Sequence, residues 1–350
     1  MLKKIIIVLL FALFVSLTYN IWITKKENIT LQNTENPLQA QNSPATVITL
    51  EDMDYRNKMR QFIMNIASHG KEQNGDFTVI TNNGTEIYRM LPEDPPGLYE
   101  QFLAAVDGIC IEEFYFGMDM EDNSPTSVET QEYFMENLAL PRQAGATIFN
   151  IDYCEGKNID KSYELSLELG FISFATKQRD LTTIPSSINK YASENNDNIE
   201  GIADAKNFLI ILNPEEFNNK EEFINSLAKT NYDVLIIDLF FYDDALTAED
   251  VQVLKEKKNG GTRKVISYMS IGEAEDYRYY WKSTWANQQP EWIEAENQDW
   301  LGCYKVRYWD KDWQSIIYGK EDSYLDSIIR AGFDGVFLDV IDAYTYFEES

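Results

Sequence analysis

Short apolar runs recur along the body of the chain, and amphipathic segments with helical spacing separate them. The runs are rich in β-branched residues, which favours strands. Because nearly continuous apolar strands are buried on both faces, the pattern predicts a parallel sheet covered by helices. The predicted strands are Phe77–Thr81, Gly108–Ile111, Thr147–Asp152, Phe171–Ala175, Phe208–Leu212, Val234–Asp238, Val265–Ser270 and Val336–Val340. Eight strands that alternate with helices predict an α/β fold, a (β/α)8 TIM barrel.

The first predicted element of this body is a helix, Asp54–Ser68, and the last is the eighth strand. Thr247 opens another predicted helix, because its spacing to Asp250 is that of a capping box. The order therefore reads helix then strand throughout. A closed barrel accommodates this order, since the opening helix can pack where a helix after the eighth strand would lie.

The N-terminus carries an apolar run from Ile5 to Ile23 between two pairs of lysines. The run is long enough to span a bilayer and lacks a small-residue cleavage motif, so residues 1–26 are predicted to be a signal anchor, with a cleaved signal peptide as the alternative. The polar residues 27–50 are predicted to be a flexible linker, and residues 51–350 a single barrel domain. We therefore expect an extracytoplasmic protein, membrane-anchored or secreted, that meets the membrane only through this segment.

The chain has one histidine and three cysteines. His69 falls in a helical pattern away from any nucleophile motif, so we interpret it as an ordinary helix-end or surface residue. A Ser/His/Asp triad, a Cys/His pair or a zinc site would need it, and we therefore predict proton transfer by Asp, Glu, Tyr or Lys, with no metal and no cofactor. Cys110 and Cys154 can pair if their strands are neighbours, but scattered thiols are more typical of buried small residues.

Acidic residues outnumber basic ones by 58 to 30, which gives a formal net charge of −28. Proteins that bind nucleic acid present a basic patch, so this charge argues against a nucleic-acid partner. The same charge would attract a polycation or metal ions. Solubility of an exported protein is the simpler explanation of the charge, and we favour it.

Carboxylates stand at the ends of several predicted strands, and the C-terminal rim of a barrel gathers such ends around one pocket. They are Glu112 and Glu113, Asp152, Asp238, Glu273 with Glu275 and Asp276, and Asp339 with Asp342. Aromatic residues crowd the same ends, among them Tyr153, Tyr242, Tyr268, Tyr277, Tyr279, Trp309 and Tyr344. Paired carboxylates suit glycoside hydrolysis, and aromatic planes suit the apolar faces of sugars, although rim packing explains the aromatic residues equally well.

Long motifs occur in both halves of the body. The second half contains SIGEAEDYR at 270–278, VRYWD at 306–310 and GFDGVFLDVIDAY at 332–344. The first half contains VITNNG at 79–84, DGICIEEFY at 107–115 and FISFAT at 171–176. These motifs resemble glycoside-hydrolase family 114 and its barrel relatives, those of the first half resembling later strands of the same barrel, and the resemblance covers Tyr55 to Phe347.

The order of the halves departs from the family, because segments that end a typical member come first here. We interpret this as a circular permutation, in which the polar stretch 186–201 joins the original termini. A truncated tandem repeat would leave the same sequence. A second departure is Asn82, since relatives tend to have a glutamine before Asn-Gly, and this leaves the role of Asn82 open.

The resemblance implies an endo-acting hydrolase of an amino-sugar polysaccharide, similar to endo-α-1,4-polygalactosaminidase, whose substrate is a cationic polymer when it is deacetylated. It implies Asp339 as the nucleophile or base and Glu112 as the general acid. The expected sugar-binding residues are Asn83, Asp152, Asp238, Tyr268, Glu273, Asp276, Arg278, Trp309, Asp342 and Tyr344.

Two other functions stay open from the sequence. One is a cell-surface saccharide-binding protein that keeps the barrel without turnover. The presence of both Asp339 and Glu112 favours an enzyme, because binding alone needs no matched acid and nucleophile. The other is an intracellular protein similar to a tRNA synthetase, which the single histidine, the apolar N-terminal run and the acidic charge oppose.

Overall fold

The computed structural model describes residues 54–349, apart from the side chain of Ala286. The predicted membrane or signal segment and the predicted linker lie outside the described residues. Between residues 54 and 349, no helix combines the length and the apolar character needed to cross a bilayer.

Eight parallel strands form the central sheet, and each begins and ends within one residue of its predicted bounds. They are β1 (Thr78–Asn82), β2 (Gly108–Glu112), β3 (Thr147–Tyr153), β4 (Ile172–Thr176), β5 (Phe208–Ile211), β6 (Val234–Ile237), β9 (Lys264–Ser270) and β13 (Gly335–Asp339). Most positions in these strands are buried, because helices cover the outer face and side chains fill the interior. The predicted barrel class is confirmed.

The strands follow one another around a nearly closed barrel, in the order β4-β3-β2-β1-β13-β9-β6-β5. Hydrogen-bonded ladders join all of these neighbours. Strands β4 and β5 meet without a ladder, through side chains such as Phe174 and Phe208, whose ring centroids are 5.8 Å apart. The carboxyl ends of all eight strands therefore point to one rim.

Helices connect the strands on the outside of the barrel. They are α1 (Tyr55–Gln73), α2 (Leu98–Ala105), α3 (Val128–Asn137), α4 (Ala139–Ala144), α5 (Lys157–Leu169), α6 (Lys220–Ala228), α7 (Ala248–Leu254), α8 (Lys311–Ile317), α9 (Tyr324–Arg330) and α10 (Tyr344–Glu348). The predicted capping box of α7 is present, with Thr247 accepting from the amide of Asp250 and Asp250 accepting from that of Thr247.

The opening helix α1 closes the outer layer. Its N-cap Asp54 accepts a hydrogen bond from the amide of Asn57 at 2.9 Å, and its buried face includes Phe62 and Ile66. It contacts α2 on one side and both α9 and α10, which flank β13, on the other. The prediction that the eighth strand is the last element is wrong, because α10 follows β13, and the first helix packs against α10 instead of taking its place. His69, near the end of α1, is bonded to Asp326 at 2.9 Å and is an ordinary helix residue, as predicted.

All three cysteines are free thiols, and Cys110 and Cys154 are buried. They lie on or directly after the neighbouring strands β2 and β3. Burial raises the pKa of both thiols, which fits their packing as small apolar residues.

Aspartates secure the opposite end of the barrel, where the strands begin. Asp107 accepts a hydrogen bond from the amide of Val79 at 2.8 Å, and Asp334 does the same for Val265. Asp233 accepts from the amide of Lys206 at 2.9 Å. Each aspartate also meets a lysine, in the pairs Lys71–Asp107, Lys255–Asp334 and Lys257–Asp233. This end of the barrel is therefore held by polar contacts between neighbouring strands.

Candidate active site

Short additional strands follow two of the barrel strands at the rim formed by their carboxyl ends. After β6, β7 (Phe240–Phe241) pairs with β8 (Asp244–Ala245) in a hairpin. After β9, a three-stranded antiparallel sheet is formed by β10 (Glu273–Glu275), β11 (Ile293–Glu296) and β12 (Cys303–Val306). The motif SIGEAEDYR therefore runs from the end of a barrel strand into this extra sheet and the turn that follows it.

Two carboxylates meet at the centre of the rim, Glu112 at the end of β2 and Asp339 at the end of β13. The strand between them, β1, ends at Asn82, whose amide Nδ2 donates to Glu112 Oε1 at 2.8 Å and to Asp339 Oδ1 at 3.0 Å. Because one nitrogen contacts both oxygens, these oxygens lie about 6 Å apart at most. The structure thus brings together the two residues expected to be catalytic.

Glu112 is held by donors on both of its oxygens. Its Oε1 also accepts from Asn83 Nδ2 at 3.1 Å, and the Glu112 amide donates to Asn83 Oδ1 at 2.9 Å. Its Oε2 accepts from the hydroxyl of Tyr153 at 2.5 Å. Burial, followed by the charge of Glu112, raises the pKa of Tyr153 well above its usual range, so this hydroxyl remains a donor. The side-chain amide of Asn83, an expected sugar-binding residue, is hydrogen-bonded to Glu112.

Asp339 has a different set of neighbours. Its Oδ2 accepts from the hydroxyl of Tyr268 at 2.9 Å, while Oδ1 faces Asn82. Burial raises the pKa of Asp339 to about 6, and the nearby charge of Glu112 adds to this effect against the hydrogen bonds from Asn82 and Tyr268. Asp339 therefore holds a proton below about pH 6.

The backbone turns sharply directly after each of these strand ends. Asn83, Glu113 and Val340 follow Asn82, Glu112 and Asp339, and their φ angles are 52°, 64° and 58°. A β-branched residue such as Val340 rarely adopts this left-handed conformation, which is costly and recurs at functional sites. Gly272 makes room for the turn, because a Cβ there would lie 2.1 Å from the carbonyl oxygen of Val340.

A second cluster surrounds Arg278. Its guanidinium donates to Asp238 Oδ2 and to Glu275 Oε2, each at 2.6 Å. Its Cζ lies 5.9 Å from the ring centroid of Tyr268, the residue that donates to Asp339. Burial raises the pKa of Asp238, against the opposing charge of Arg278. Three of the expected sugar-binding residues, Asp238, Tyr268 and Arg278, therefore form a continuous wall beside the carboxylate pair.

Three further predicted residues lie on the outer rim. Glu273 is buried in the extra sheet, where it accepts from Asn297 at 2.9 Å and lies 3.7 Å from the ammonium of Lys305. Asp276 is exposed in the turn after β10. Asp342 is exposed after β13. It lies close to Gly84, because a Cβ added to Gly84 would be 3.2 Å from the Cβ of Asp342.

Three predicted sugar contacts pack or hydrogen-bond within the fold, and two of them are fully buried. Asp152 is fully buried and accepts hydrogen bonds from the amides of Tyr115 and Phe116 and from the side chains of Asn150 and Ser162. Tyr344 is also fully buried, under the guanidinium of Arg56. Trp309 packs against Tyr55, Tyr308 and Phe347. The expectation that Asp152 and Tyr344 touch substrate is corrected, because their side chains have no exposed surface.

The sequence did not assign several residues that organise the site. Asn82 bridges the pair, and Tyr153 orients Glu112. Arg179 lies 4.3 Å above the ring of Tyr153 and forms an ion pair with Glu113. In the parallel register Glu112 pairs with Ile151, so Tyr153 is two residues further along the same face of β3. This alternation is the signal that could have placed Tyr153 beside Glu112.

Residues 189–350 match the sequence model of the glycoside-hydrolase family GH114. The matched region contains Asp339, Tyr268, Arg278 and Asp238. Glu112 and Asn82 lie outside the matched region and join Asp339 only through the closure of the barrel. The permuted order of the halves stays a prediction.

Three curated proteins are similar to the chain, and each is named only as an uncharacterized protein. One from Methanocaldococcus jannaschii is 34% identical over 208 residues, which is 57% of this chain and 58% of that protein. One from Thermotoga maritima is 44% identical over 84 residues, 24% of this chain and 25% of that protein. One from Deinococcus radiodurans is 37% identical over 121 residues, 35% of this chain and 37% of that protein. The chain thus spans less than two thirds of the length of each.

Proposed function

We propose that this protein is an endo-acting glycoside hydrolase of an amino-sugar polysaccharide, similar to endo-α-1,4-polygalactosaminidase, and that Glu112 and Asp339 are its catalytic pair. The observation that carries the proposal is the amide of Asn82, which binds one oxygen of each carboxylate. Glycoside hydrolysis needs one carboxylic acid to protonate the departing oxygen and one carboxylate to attack the anomeric carbon or activate water. The match of residues 189–350 to the GH114 sequence model supports this reaction class.

The spacing of the pair supports retention of configuration. Carboxyl groups act as nucleophile and acid when they lie roughly 5 to 5.5 Å apart, whereas inversion needs roughly 6.5 to 9.5 Å to admit a water. The facing oxygens of Glu112 and Asp339 are about 6 Å apart at most. One carboxylate would form a bond to the anomeric carbon as the glycosidic bond breaks and the other group protonates the leaving oxygen. Water would then hydrolyse the glycosyl intermediate and give its proton to the second carboxylate.

The two roles can be assigned in either direction. The resemblance to family 114 implies that Asp339 is the nucleophile and Glu112 the acid. The hydrogen bonds favour a proton on Asp339 and an ionised Glu112, because donors stabilise a charged carboxylate. Glu112 accepts from three side chains and Asp339 from two. The raised pKa of Asp339 also favours a proton there. Both assignments use the same pair, and chemical rescue distinguishes them.

Charge supports a cationic polymer as the substrate. The chain carries a formal net charge of −28, and Asp276 and Asp342 are exposed on the outer rim. A deacetylated amino-sugar polymer would be attracted to this surface, whereas a polyanion would be repelled. We further propose an extracytoplasmic location, supported by the apolar run between lysine pairs in residues 1–26.

The test is the release of reducing ends by the purified full-length protein. The substrates are partly deacetylated polygalactosamine, a neutral glucan and a polyuronate. We expect cleavage of the first alone, and proton NMR of the first product should show the anomer of the substrate linkage. Failure to cleave any polymer, with binding retained, would contradict the hydrolase and favour a saccharide-binding protein.

Azide rescue assigns the two roles, using an activated aryl glycoside of galactosamine. Azide restores turnover to an alanine variant of the nucleophile and gives a glycosyl azide of inverted configuration, because azide attacks from the face that the carboxylate has vacated. With an alanine variant of the acid, azide intercepts the glycosyl intermediate and gives the retained product. Asp339→Ala and Glu112→Ala should therefore yield opposite anomers. Identical anomers from both variants would contradict the paired mechanism.

A further inference from the structure

A small cavity opens on the rim beyond Arg278, outside the carboxylate pair. Its volume is about 220 Å³, below the roughly 300 to 1,000 Å³ of pockets that enclose a whole drug-sized ligand. The residues that line it are Phe240, Tyr242, Asp243, Tyr277, Arg278 and Tyr279. They come from the β7–β8 hairpin and from the turn after β10. The cavity is of a size for one small ring.

Exposed aromatic side chains concentrate around this cavity. Within the described part of the chain, the exposed aromatic rings are those of Tyr242, Tyr277, Tyr279 and Trp300, and all but Trp300 line it. An exposed group of aromatic rings around a concave site marks a binding surface. Tyrosine suits a saccharide, because its ring covers the apolar face of a sugar and its hydroxyl remains in water.

Two of the three tyrosines are held in place by hydrogen bonds behind the cavity. Tyr277 donates its hydroxyl to Glu275, which also binds Arg278. Tyr279 donates to the carbonyl oxygen of Asp322 at 3.0 Å, and its ring is stacked on Phe240 with 5.5 Å between centroids. Tyr242 has a φ angle of 53°, an uncommon conformation for a bulky residue that projects its ring into solvent. A preorganised surface of this kind lowers the entropic cost of binding.

Polar groups at the cavity add selectivity. Arg278 is neutralised by Asp238 and Glu275, so it is not a free anion site. The carboxylate of Asp243, by contrast, has no hydrogen bond or ion pair with any residue between 54 and 349. A free carboxylate among aromatic rings suits a sugar hydroxyl or a protonated amine.

The cavity lies on a path that leads to the catalytic pair. The strands β2, β1, β13, β9 and β6 are successive neighbours in the barrel. Glu112 ends β2 and Asp339 ends β13, on either side of β1. Tyr268 lies on β9, and Asp238 directly follows β6. Tyr268 and Arg278 connect Asp339 to the cavity. The hydroxyl of Tyr268 lies 2.9 Å from Asp339 Oδ2, and Cζ of Arg278, which lines the cavity, lies 5.9 Å from the centroid of the Tyr268 ring. A polymer bound at the pair can therefore continue over the cavity.

We propose that this cavity is an outlying saccharide subsite, which binds one ring of the polymer away from the bond that is cleaved. The rings of Tyr242, Tyr277 and Tyr279 cover the apolar face of the sugar, and Asp243 accepts hydrogen bonds from its hydroxyl or ammonium groups. The inference rests on the proposed function, because it identifies a second contact with the same substrate.

The test compares Tyr242→Ala with two matched variants. Tyr242→Phe keeps the ring, and Trp300→Ala removes a ring that is equally exposed, 61% in both cases, but lies outside the cavity. Binding of partly deacetylated galactosamine oligosaccharides of increasing length is titrated by calorimetry, with Asp339→Asn in every variant to prevent turnover. We expect Tyr242→Ala to raise the Kd of the longer oligosaccharides about tenfold, while Tyr242→Phe and Trp300→Ala bind as the parent does.

Hydrolysis by proteins that retain Asp339 gives a second readout, the KM for the long substrate. The subsite would be overturned if Tyr242→Ala weakened the binding of short and long oligosaccharides alike, or if it weakened the binding of none of them. Cleavage with an unchanged KM in Tyr242→Ala would overturn the subsite and leave the hydrolase in place. Binding without cleavage, still weakened by Tyr242→Ala, would support the subsite and contradict the hydrolase.

Discussion

Asn82 shows how one amide can organise two carboxylates. Both hydrogens of its Nδ2 point to Glu112 and Asp339, which fixes the orientation of the amide. Its Oδ1 is buried and has no hydrogen-bond partner among the described residues. An unpaired buried carbonyl costs stability, and the two charge-assisted hydrogen bonds on the other side of the amide offset that cost.

Loss of this amide should therefore impair turnover more than folding. We expect Asn82→Ala to lower kcat by on the order of 100-fold, because a preorganised donor to both carboxylates is lost. Steady-state cleavage assays measure the effect, and circular dichroism checks the fold. Asn189→Ala, which removes an amide bonded to Asp160 on the surface, is the control. A kcat for Asn82→Ala equal to that of the control would show that the bridge has no catalytic role.

The raised pKa of Asp339 has a consequence for stability. Burial raises this pKa from 3.8 to about 6, so the folded chain binds the proton more tightly than the unfolded chain does. The resulting stabilisation is complete below pH 3.8 and is lost as the pH rises through about 6. Asp339→Asn cannot ionise, and we expect it to gain up to about 3 kcal/mol over the wild type between about pH 4 and pH 8.

Urea unfolding at several pH values measures this gain. The exposed Glu216→Gln serves as the control, because it removes a carboxylate without burial. The quantity of interest is the difference in the free energy of unfolding between each variant and the wild type. A difference for Asp339→Asn that stays constant across this pH range would show that the pKa of Asp339 is not raised.

At the residue scale, the sequence located the carboxylates better than their partners. Glu112 and Asp339 could be predicted as neighbours, because both end parallel strands and such ends share one rim. The roles of Asn82 and Arg179 depend on side-chain direction and on ring stacking, which strand spacing does not encode. The alternation along β3, by contrast, could have placed Tyr153 beside Glu112. Asp152 and Tyr344 were misassigned, because a strand-end position does not reveal whether a side chain points into the pocket or into the packing behind it.

Among the elements, the turns after β1, β2 and β13 set the shape of the site. Each strand delivers a functional residue and is followed by a residue in the left-handed conformation. The turn after β13 also depends on Gly272, which contacts the backbone of Val340 closely. The glycine of the motif SIGEAEDYR is therefore explained by the approach of a neighbouring turn.

We expect Gly272→Ala to destabilise the fold by about 1 to 3 kcal/mol and to lower cleavage, because the new methyl group collides with the turn that follows Asp339. Gly201→Ala is the matched control, since a Cβ at Gly201 meets no atom within 4 Å and its φ is not positive. Thermal unfolding and cleavage rates measure both variants. Equal stability and activity in the two variants would mean that the close approach is not required.

The barrel strands were predictable because they are buried on both faces, and burial selects continuous apolar runs such as Val234–Ile237. The extra strands β10 and β11 were not, because their sequences, EAE and IEAE, alternate acidic residues with alanine and contain no apolar run. Strand β12 has the sequence CYKV, in which a lysine interrupts the apolar residues. Edge position explains this composition, since β10 and β11 each pair on one side only.

At the scale of the whole molecule, the two ends of the barrel serve different purposes. The carboxyl ends of the strands carry Glu112 and Asp339, and the opposite end carries the aspartate–lysine pairs. The pair Lys257–Asp233 is fully buried. Removal of one member of a buried ion pair leaves an uncompensated charge, so this end should control stability without affecting the chemistry.

We expect Asp233→Asn to lower the free energy of unfolding by about 3 to 5 kcal/mol and to leave the cleavage rate per folded molecule unchanged. Lys190→Met, which breaks the exposed pair with Asp160, should have little effect on stability. Chemical denaturation and active-site-normalised rates measure the two quantities. A loss of kcat in folded Asp233→Asn would contradict the separation of the two ends.

The most direct test of the catalytic pair is the release of reducing ends from partly deacetylated polygalactosamine by the wild type, Asp339→Asn, Glu112→Gln and the double variant. Glu216→Gln is the control, and unfolding curves confirm that each protein is folded. We expect each single variant to lose activity by at least about 1,000-fold and the double variant to lose little more, because the two carboxylates act as one unit. Substantial cleavage by either folded single variant would contradict the assignment of Glu112 and Asp339 as the catalytic pair.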